Sequence, residues 1–235
     1  AGMKDIQLER NGHFSLGPYL RFRNQAQFNP VKYMRGLAQA IERMGGQIFT
    51  GALVTQVKGG DEARVVTQKG YVVDCKDIVV ATNVPINDLV AIHTKEAAYR
   101  SYMIGLKIKR NQFPMGLFWD TADPYHYVRV QRDHDVDYDV LLVGGEDHKT
   151  GQENDPQECF NKLNEWVKNK FGIQAEIDYR WSGQIIEPVD GLAYIGVNPG
   201  MSHNVYMAAG DSGHGITHGT IAGIFLTDLM MGREN

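Results

Sequence analysis

The stretch Val205-Tyr206-Met207-Ala208-Ala209-Gly210-Asp211-Ser212-Gly213-His214-Gly215-Ile216-Thr217-His218-Gly219 constrains the fold more than any other part of this chain. An apolar run of strand type enters a turn holding Gly210, Gly213 and Gly215, and a helix over about Ile216 to Met231 follows at once. Glycines there permit positive φ and close approach of the backbone to a ligand. The start of the helix offers amide N–H groups without intrahelical acceptors, together with a partial positive charge. Gly215, Gly219 and Gly223 recur every four residues, so one helix face is nearly bare and can lie flush on a sheet or a planar cofactor. The plainer reading of the same residues is a tight strand–helix connection with close packing. A third reading takes Asp211, His214 and His218 as metal ligands, since histidines four apart share a helix face. Gly215 stands where an H-E-x-x-H motif needs its acid, and no metal is expected.

Upstream, Asn29 and Pro30 open a helix over Pro30 to Met44, as N-cap and first helical residue. Met34, Leu37, Ala38, Ile41 and Met44 form its apolar stripe, and Gly45-Gly46 ends it. Short strands are expected at Gln47–Phe49, Leu53–Val57, Arg64–Thr67 and Tyr71–Val73, and a fully buried one at Asp77–Asn83. The middle of the chain alternates in strand fashion at Tyr102–Ile108, Tyr125–Gln131 and Val140–Val143, with the acidic run Asp133–Asp139 as a polar hairpin tip. A helix capped by Asp155 runs from Pro156 to Phe171-Gly172, and Ala175–Ile185 is a further strand. The fold class is therefore mixed α/β (α+β), with α/β ends and an antiparallel insert, and interleaved lobes fit this order better than successive domains.

Composition narrows the function. With 43% hydrophobic and 22% charged residues and a net charge of −4, the chain has no basic field for nucleic acid or anionic membranes. No apolar run approaches the roughly 20 residues of a membrane-spanning helix, and Ala1–Asp5 lacks the apolar stretch of a signal peptide. Cys75 and Cys159 are the only cysteines, which favours a reducing, cytoplasmic setting and argues against a cysteine-bound metal.

The run Trp181-Ser182-Gly183-Gln184-Ile185-Ile186-Glu187-Pro188-Val189-Asp190-Gly191-Leu192-Ala193-Tyr194-Ile195-Gly196, with Asn204-Val205-Tyr206 and Gly210 to Gly215, resembles the D-amino-acid oxidase superfamily. It is most similar there to the glycine/sarcosine-oxidase-like FAD oxidoreductases. The end of the chain, through Asp228 to Gly232-Arg233-Glu234-Asn235, is similar to members that carry a C-terminal Rieske iron–sulfur domain. Phe28-Asn29-Pro30, Gly45-Gly46-Gln47-Ile48 and Leu53-Val54-Thr55 resemble the segment that brings a valine backbone, here Val54, to the adenine side of FAD. Asp77–Thr82 resembles the strand and loop beside the adenosine and pyrophosphate, which puts Ala81 and Thr82 among the cofactor residues.

The resemblance implies a partial FAD-binding Rossmann-like domain from residues 28–92 and 183–235 and an antiparallel-sheet substrate lobe from residues 1–27 and 93–182. The family's opening strand, G-x-G-x-x-G turn and helix have no counterpart in residues 1–28, so a fragment without that element is expected. The implied cofactor is non-covalent FAD, less firmly held by such a fragment, with contacts from Gly210, Asp211, Ser212, Gly213, His214, Gly215, Ile216 and Thr217. The implied reaction is oxidation of a C–N bond of an amine or amino acid to an imine, which water hydrolyses. The helix dipole at Ile216 would raise the flavin potential by about 20–40 mV for roughly 1–2 kcal/mol. Tyr127 and Arg129 share a strand face, by alternation, and suit a substrate carboxylate. His148 and Lys149 could reach the flavin or decorate a loop, and Arg21, Arg23 and Gln27 flank another strand of the lobe. The implied partners are a small amine or amino acid and a Rieske domain, and the alternative is a non-catalytic binding or assembly lobe on the same scaffold.

Overall fold

The chain opens with β1 (Ile6–Glu9) and β2 (Tyr19–Phe22), an antiparallel pair, followed by α1 (Pro30–Arg43). A meander of β3 (Val54–Lys58), β4 (Arg64–Thr67) and β5 (Val72–Asp74) leads to β6 (Ile78–Asn83). Then come β7 (Glu96–Lys109), β8 (Leu117–Trp119), β9 (Tyr127–Arg132), β10 (Tyr138–Lys149), α2 (Pro156–Phe171) and β11 (Ile177–Pro188). β12 (Tyr194–Val197), β13 (Val205–Ala209) and α3 (Gly215–Met230) complete it. This is a computed structural model, and it describes residues 5–10, 17–87, 92–153 and 155–233. Residues 1–4 and 234–235, used above for the signal-peptide and family readings, lie outside the described residues.

Local chemistry sets the helix ends. Asn29 Oδ1 accepts the Lys32 amide at 3.1 Å and Asp155 Oδ1 accepts the Gln157 amide at 2.9 Å, each just before a proline at the first helical position. Gly172 ends α2 at φ 65, its N–H bonded to Lys168 O at 2.9 Å.

Two compact units are present: Ala1–Gln47 with Arg100–Gly183, and Ile48–Tyr99 with Gln184–Asn235. The expected seams lay at residues 28, 93 and 183. Residues 28–47 instead group with the first unit, where Arg129 Nη1 donates to Phe28 O at 3.0 Å and Gln27 Nε2 to Val130 O at 3.4 Å.

The first unit is built on a five-stranded sheet in the order β11-β7-β10-β9-β8. Alternate residues Tyr102, Ile104, Leu106 and Ile108 of β7, with Leu141 and Val143 of β10, face Cys159, Leu163 and Val167 of α2. These two periods, two along the strands and three to four along the helix, make one dry layer. The stripe on α1 behaves differently: the helix buries no residue, and Met34, Leu37, Ile41 and Met44 stay 42–87% exposed. Its periodicity made it a helix, but no described residue covers its apolar face.

In the second unit β13 lies between β12, antiparallel, and β6, parallel. Ala222 and Leu226 of α3 pack on Tyr206, while Val57, Ala63 and Val65 of the meander pack on Ile78, Val80 and Val205. Asn204 ties the layers, accepting from Gly60 N at 2.9 Å and donating to Lys76 O at 2.7 Å. Two sequence expectations need correction. Gln47–Phe49 forms no strand, having no paired neighbour. β6 is buried on one side only, with Val79 42% exposed, because it is the edge of a three-stranded sheet covered on one face by the meander.

Candidate functional site

The glycine-rich turn leaves β13 and folds back on the tail of β11. Gly210 (φ 63), Ser212 (φ 49) and Gly213 (φ 73) place three left-handed residues within four positions. Glycine adopts this region without cost; serine does so only under restraint. Ser212 is held three ways: its N–H donates to Ile186 O at 3.0 Å, its hydroxyl donates to the Glu187 carboxylate, and its carbonyl accepts from His214 Nδ1 at 2.7 Å. Asp211 braces the other side. Its Oδ1 accepts the Gly213 amide at 3.1 Å, and its carbonyl accepts the His214 amide at 2.8 Å and His218 Nδ1 at 2.9 Å. The two imidazoles, 6.1 Å apart and edge to face, thus serve the turn through Nδ1, and no metal-holding group of three His, Cys, Asp or Glu occurs among the described residues.

These bonds narrow the expected donor set. The amides of Ser212, Gly213 and His214 are consumed inside the protein, since the turn closes on itself and on β11. Gly215, Ile216 and Thr217 remain, at the first turn of a 16-residue helix whose N-cap, His214, makes no side-chain capping bond. Gly210 N donates to Asn83 O at 3.1 Å and so joins the end of β6 to the turn.

Between them lies a cleft of about 190 Å³ lined by Ala81, Asn83, Ala208, Ala209, Gly215 and Gly219, with Asp211 and His218 also on its wall. A Cβ added at Gly219 or Gly223 would meet open space, so the bare helix face is not used for packing on the sheet. A Cβ at Gly215 would stand 2.6 Å from Asp211 Oδ2, so that carboxylate would have to shift to admit a side chain at the mouth. The donor set fits one edge of a flavin nucleotide: amides for ring carbonyls, the Asp211 carboxylate and free imidazole nitrogens for hydroxyls or N–H groups. A pyrophosphate would meet the Asp211 charge at this point and belongs elsewhere.

Other cofactor candidates are dispersed. Ala81 is in the cleft; Thr82 is exposed and donates its hydroxyl to Val84 O at 2.6 Å; Val54 begins β3, paired with Thr67, away from the cleft lining.

In the first unit, Tyr127 and Arg129 share the sheet face opposite α2, paired across β10 with Gly144 and Leu142 and across β8 with Trp119 and Leu117. The Tyr127 ring lies over Gly144, where a Cβ would collide with it. Burial pushes the Tyr127 phenol up, partly offset by its hydrogen bond with Ser101 Oγ at 3.3 Å. One arm of Arg129 is engaged by Phe28 O. His148 is not brought to this face. Strict alternation from Leu142 and Gly144 would carry it there, but Glu146 at φ 56 breaks the alternation. His148 instead stands on the α2 side, where Nδ1 donates to Lys149 O and Nε2 accepts the hydroxyl of buried Tyr102, both at 3.0 Å. Arg21 pairs with Glu9 at 3.8 Å, the Arg23 amide donates to Asp5 O at 3.2 Å, and Lys149 is exposed.

Sequence reasoning passed over Glu187, Asn83 and a buried clamp at His126. There Nδ1 lies 3.0 Å from Asp120 Oδ2 and Nε2 3.3 Å from Glu146 Oε1, with the ring stacked on Trp166 at 4.4 Å. Glu146 lies 20 residues from His126 and Glu187 25 from Ser212, too far to leave a local signal, although Glu187 lay within the run that carried the resemblance.

Comparison with known proteins gives the family. A family model described as "DAO: FAD dependent oxidoreductase" matches residues 7–229. YhfW of Bacillus subtilis (strain 168), named as a Rieske 2Fe-2S iron-sulfur protein, is 27% identical over 220 residues, 92% of this chain and 42% of that one. Gamma-glutamylputrescine oxidoreductase of Escherichia coli (strain K12) is 28% identical over 212 residues, covering 87% and 48%. The chain thus spans about half the length of the curated relatives it matches. The crystal structure of glycine oxidase from Bacillus cereus ATCC 14579 superposes with a TM-score of 0.77 at 15% identity, over 93% of this chain and 61% of that one, a likeness of fold. With the match running from β1 to α3, the chain belongs to the DAO family of FAD-dependent oxidoreductases.

Proposed function

We propose that the protein containing this chain oxidises a C–N bond of a small amine or amino acid to an imine, using non-covalent FAD. The observation that carries the reading is the turn after β13, with its three unclaimed amides at the start of α3 beside a glycine-floored cleft. Bound FAD supplies the two-electron acceptor. Gly215, Ile216 and Thr217 hold a carbonyl edge of it, and their helix dipole favours negative charge at that edge by roughly 1–2 kcal/mol. Ala81 and Asn83 wall the cleft, while Val54 and Thr82 are proposed for its nucleotide end.

On this reading the second unit takes the cofactor, and the sheet bearing Tyr127 and Arg129 takes the substrate. Tyr127, its phenol raised by burial, stays a neutral hydroxyl donor at neutral pH, and Arg129 offers its remaining N–H groups to a substrate carboxylate. The name of the E. coli relative supports an amine substrate, and that of the B. subtilis relative supports a Rieske centre as electron partner. Cys75 and Cys159 are free thiols, in keeping with a reducing cytoplasmic setting.

The test is anaerobic mixing of the flavin-loaded protein with primary amines, secondary amines and amino acids. Bleaching of the flavin with release of an aldehyde or keto acid is expected. Bleaching by none of them, with reduction by an alcohol or hydroxy acid instead, would refute C–N oxidation.

A further inference from the structure

Resting on that reading, we propose that Glu187 is a positioning residue for the cofactor turn. By accepting the Ser212 hydroxyl hydrogen it locks the backbone of Gly210–Gly213 in the shape that leaves Gly215, Ile216 and Thr217 open to FAD.

The tail of β11 is the template for this turn at four successive residues. Ile185 Cγ2 lies 3.9 Å from where a Cβ of Gly213 would be, Ile186 O accepts the Ser212 amide, Glu187 takes the Ser212 hydroxyl, and Pro188 Cγ comes within 2.9 Å of a Cβ built on Gly210. Ser212 is the one residue among the three left-handed positions of the turn that is not glycine. A serine held at φ 49 persists where its surroundings over-determine it. Glu187 supplies part of that restraint by holding the Ser212 hydroxyl on the tail of β11.

Among the described residues the carboxylate makes no other side-chain hydrogen bond. Glu187 is half-buried and makes no ion pair among the described residues, so it is not there to balance a cation. A partly desolvated carboxylate without a cation is retained at a cost, and its bond to Ser212 is what it provides in return. The same bond commits the hydroxyl proton, so Ser212 can only accept from a ligand.

The experiment uses the FAD-loaded protein and its variants E187A, E187Q, S212A and E187A/S212A. The measurements are the FAD dissociation constant and the visible absorbance and circular dichroism of the bound flavin. Losing a hydrogen bond to a charged group should weaken FAD by roughly 10- to 100-fold in E187A, with a shifted flavin band. Glutamine still offers a carbonyl acceptor and should restore affinity to within a few-fold of wild type. S212A should resemble E187A, and the double variant should be no worse than either single one, because both remove the same contact. Wild-type affinity and spectrum in E187A, a glutamine variant as poor as the alanine one, or additive losses in the double variant would each overturn the proposal. Should E187A fail to fold, S212A alone decides, since it deletes one hydroxyl and leaves the carboxylate in place. If the whole protein that contains this chain holds no FAD, the functional reading and this proposal fall together, whereas normal flavin content with indifference at Glu187 refutes this proposal alone.

Discussion

Replacing Asp139 by asparagine should destabilise the first unit by an amount that disappears in acid. Asp139 is the second residue of β10, paired with Arg132 of β9, and its side chain is wholly buried. Its Oδ1 accepts from Arg110 Nη1 at 2.9 Å and Arg132 Nε at 3.1 Å; its Oδ2 accepts from Arg132 Nη2 and the Asn111 amide, both at 2.9 Å. The Arg132 guanidinium, helped by the Asn111 amide and Arg110 and opposed by burial, lowers the carboxyl from 3.8 to about 2. That depression corresponds to roughly 2–3 kcal/mol of stability. Since the folded value lies below the unfolded one, this stability is fully present above about pH 4 and is lost as the pH falls through about 2. Asp139→Asn mimics the protonated acid at every pH. Its deficit should therefore be roughly 2–3 kcal/mol at pH 7 and shrink steadily below pH 4. Trp119, Trp166 and Trp181 all lie in this unit, so tryptophan fluorescence during urea unfolding reports it. A deficit equal at pH 7 and pH 2.5, or one under about 0.5 kcal/mol at pH 7, would refute the ionic clamp.

Three further outcomes are expected. Gly213→Val puts a β-branched residue at φ 73, at a conformational cost of at least about 1–2 kcal/mol confined to the turn; flavin content after gel filtration should drop while thermal unfolding of the first unit is unchanged, and normal FAD content would count against the turn as cofactor site. Arg129→Met should raise the half-saturating concentration of a carboxylate-bearing substrate in anaerobic reduction by at least ~30-fold, a loss in the ~2–5 kcal/mol range, with FAD still bound; an unchanged value removes Arg129 from the substrate site. Residues 1–235 expressed alone should hold FAD well below one equivalent, because the cleft offers amides for one edge only and Asp211 repels a pyrophosphate there. Stoichiometric FAD absorbance in that preparation would show the cleft to be sufficient.

Elements whose signal is local were legible residue by residue. Asn29 with Pro30, and Asp155 with Pro156, announced α1 and α2, and Gly172 announced the end of α2. The passage from β13 through the glycine turn into α3 was equally plain. Less legible were β1, β2, β8 and β12, strands of three or four residues that exist because a partner lies in register beside them. The polar reading of Asp133–Asp139 missed that Arg110, 29 residues upstream of Asp139, would bury its last carboxylate.

The amino-acid sequence by itself determined where the chain turns, caps and starts helices, since a cap, a proline ring or a left-handed glycine acts over four or five residues. It also determined the family, because the run from Trp181 to Gly215 is read linearly. Tertiary structure decided which groups meet. It spent the amides of Ser212, Gly213 and His214 inside the protein, set Glu187 against Ser212, and turned His148 to the α2 side at the left-handed Glu146. It also left the apolar stripe of α1 and one face of β6 uncovered by described residues, although β6 read as fully buried. The physical reason is one of range: backbone propensity is short-ranged, whereas burial and hydrogen-bond pairing depend on segments tens to hundreds of residues apart that only the folded chain brings within 3 Å.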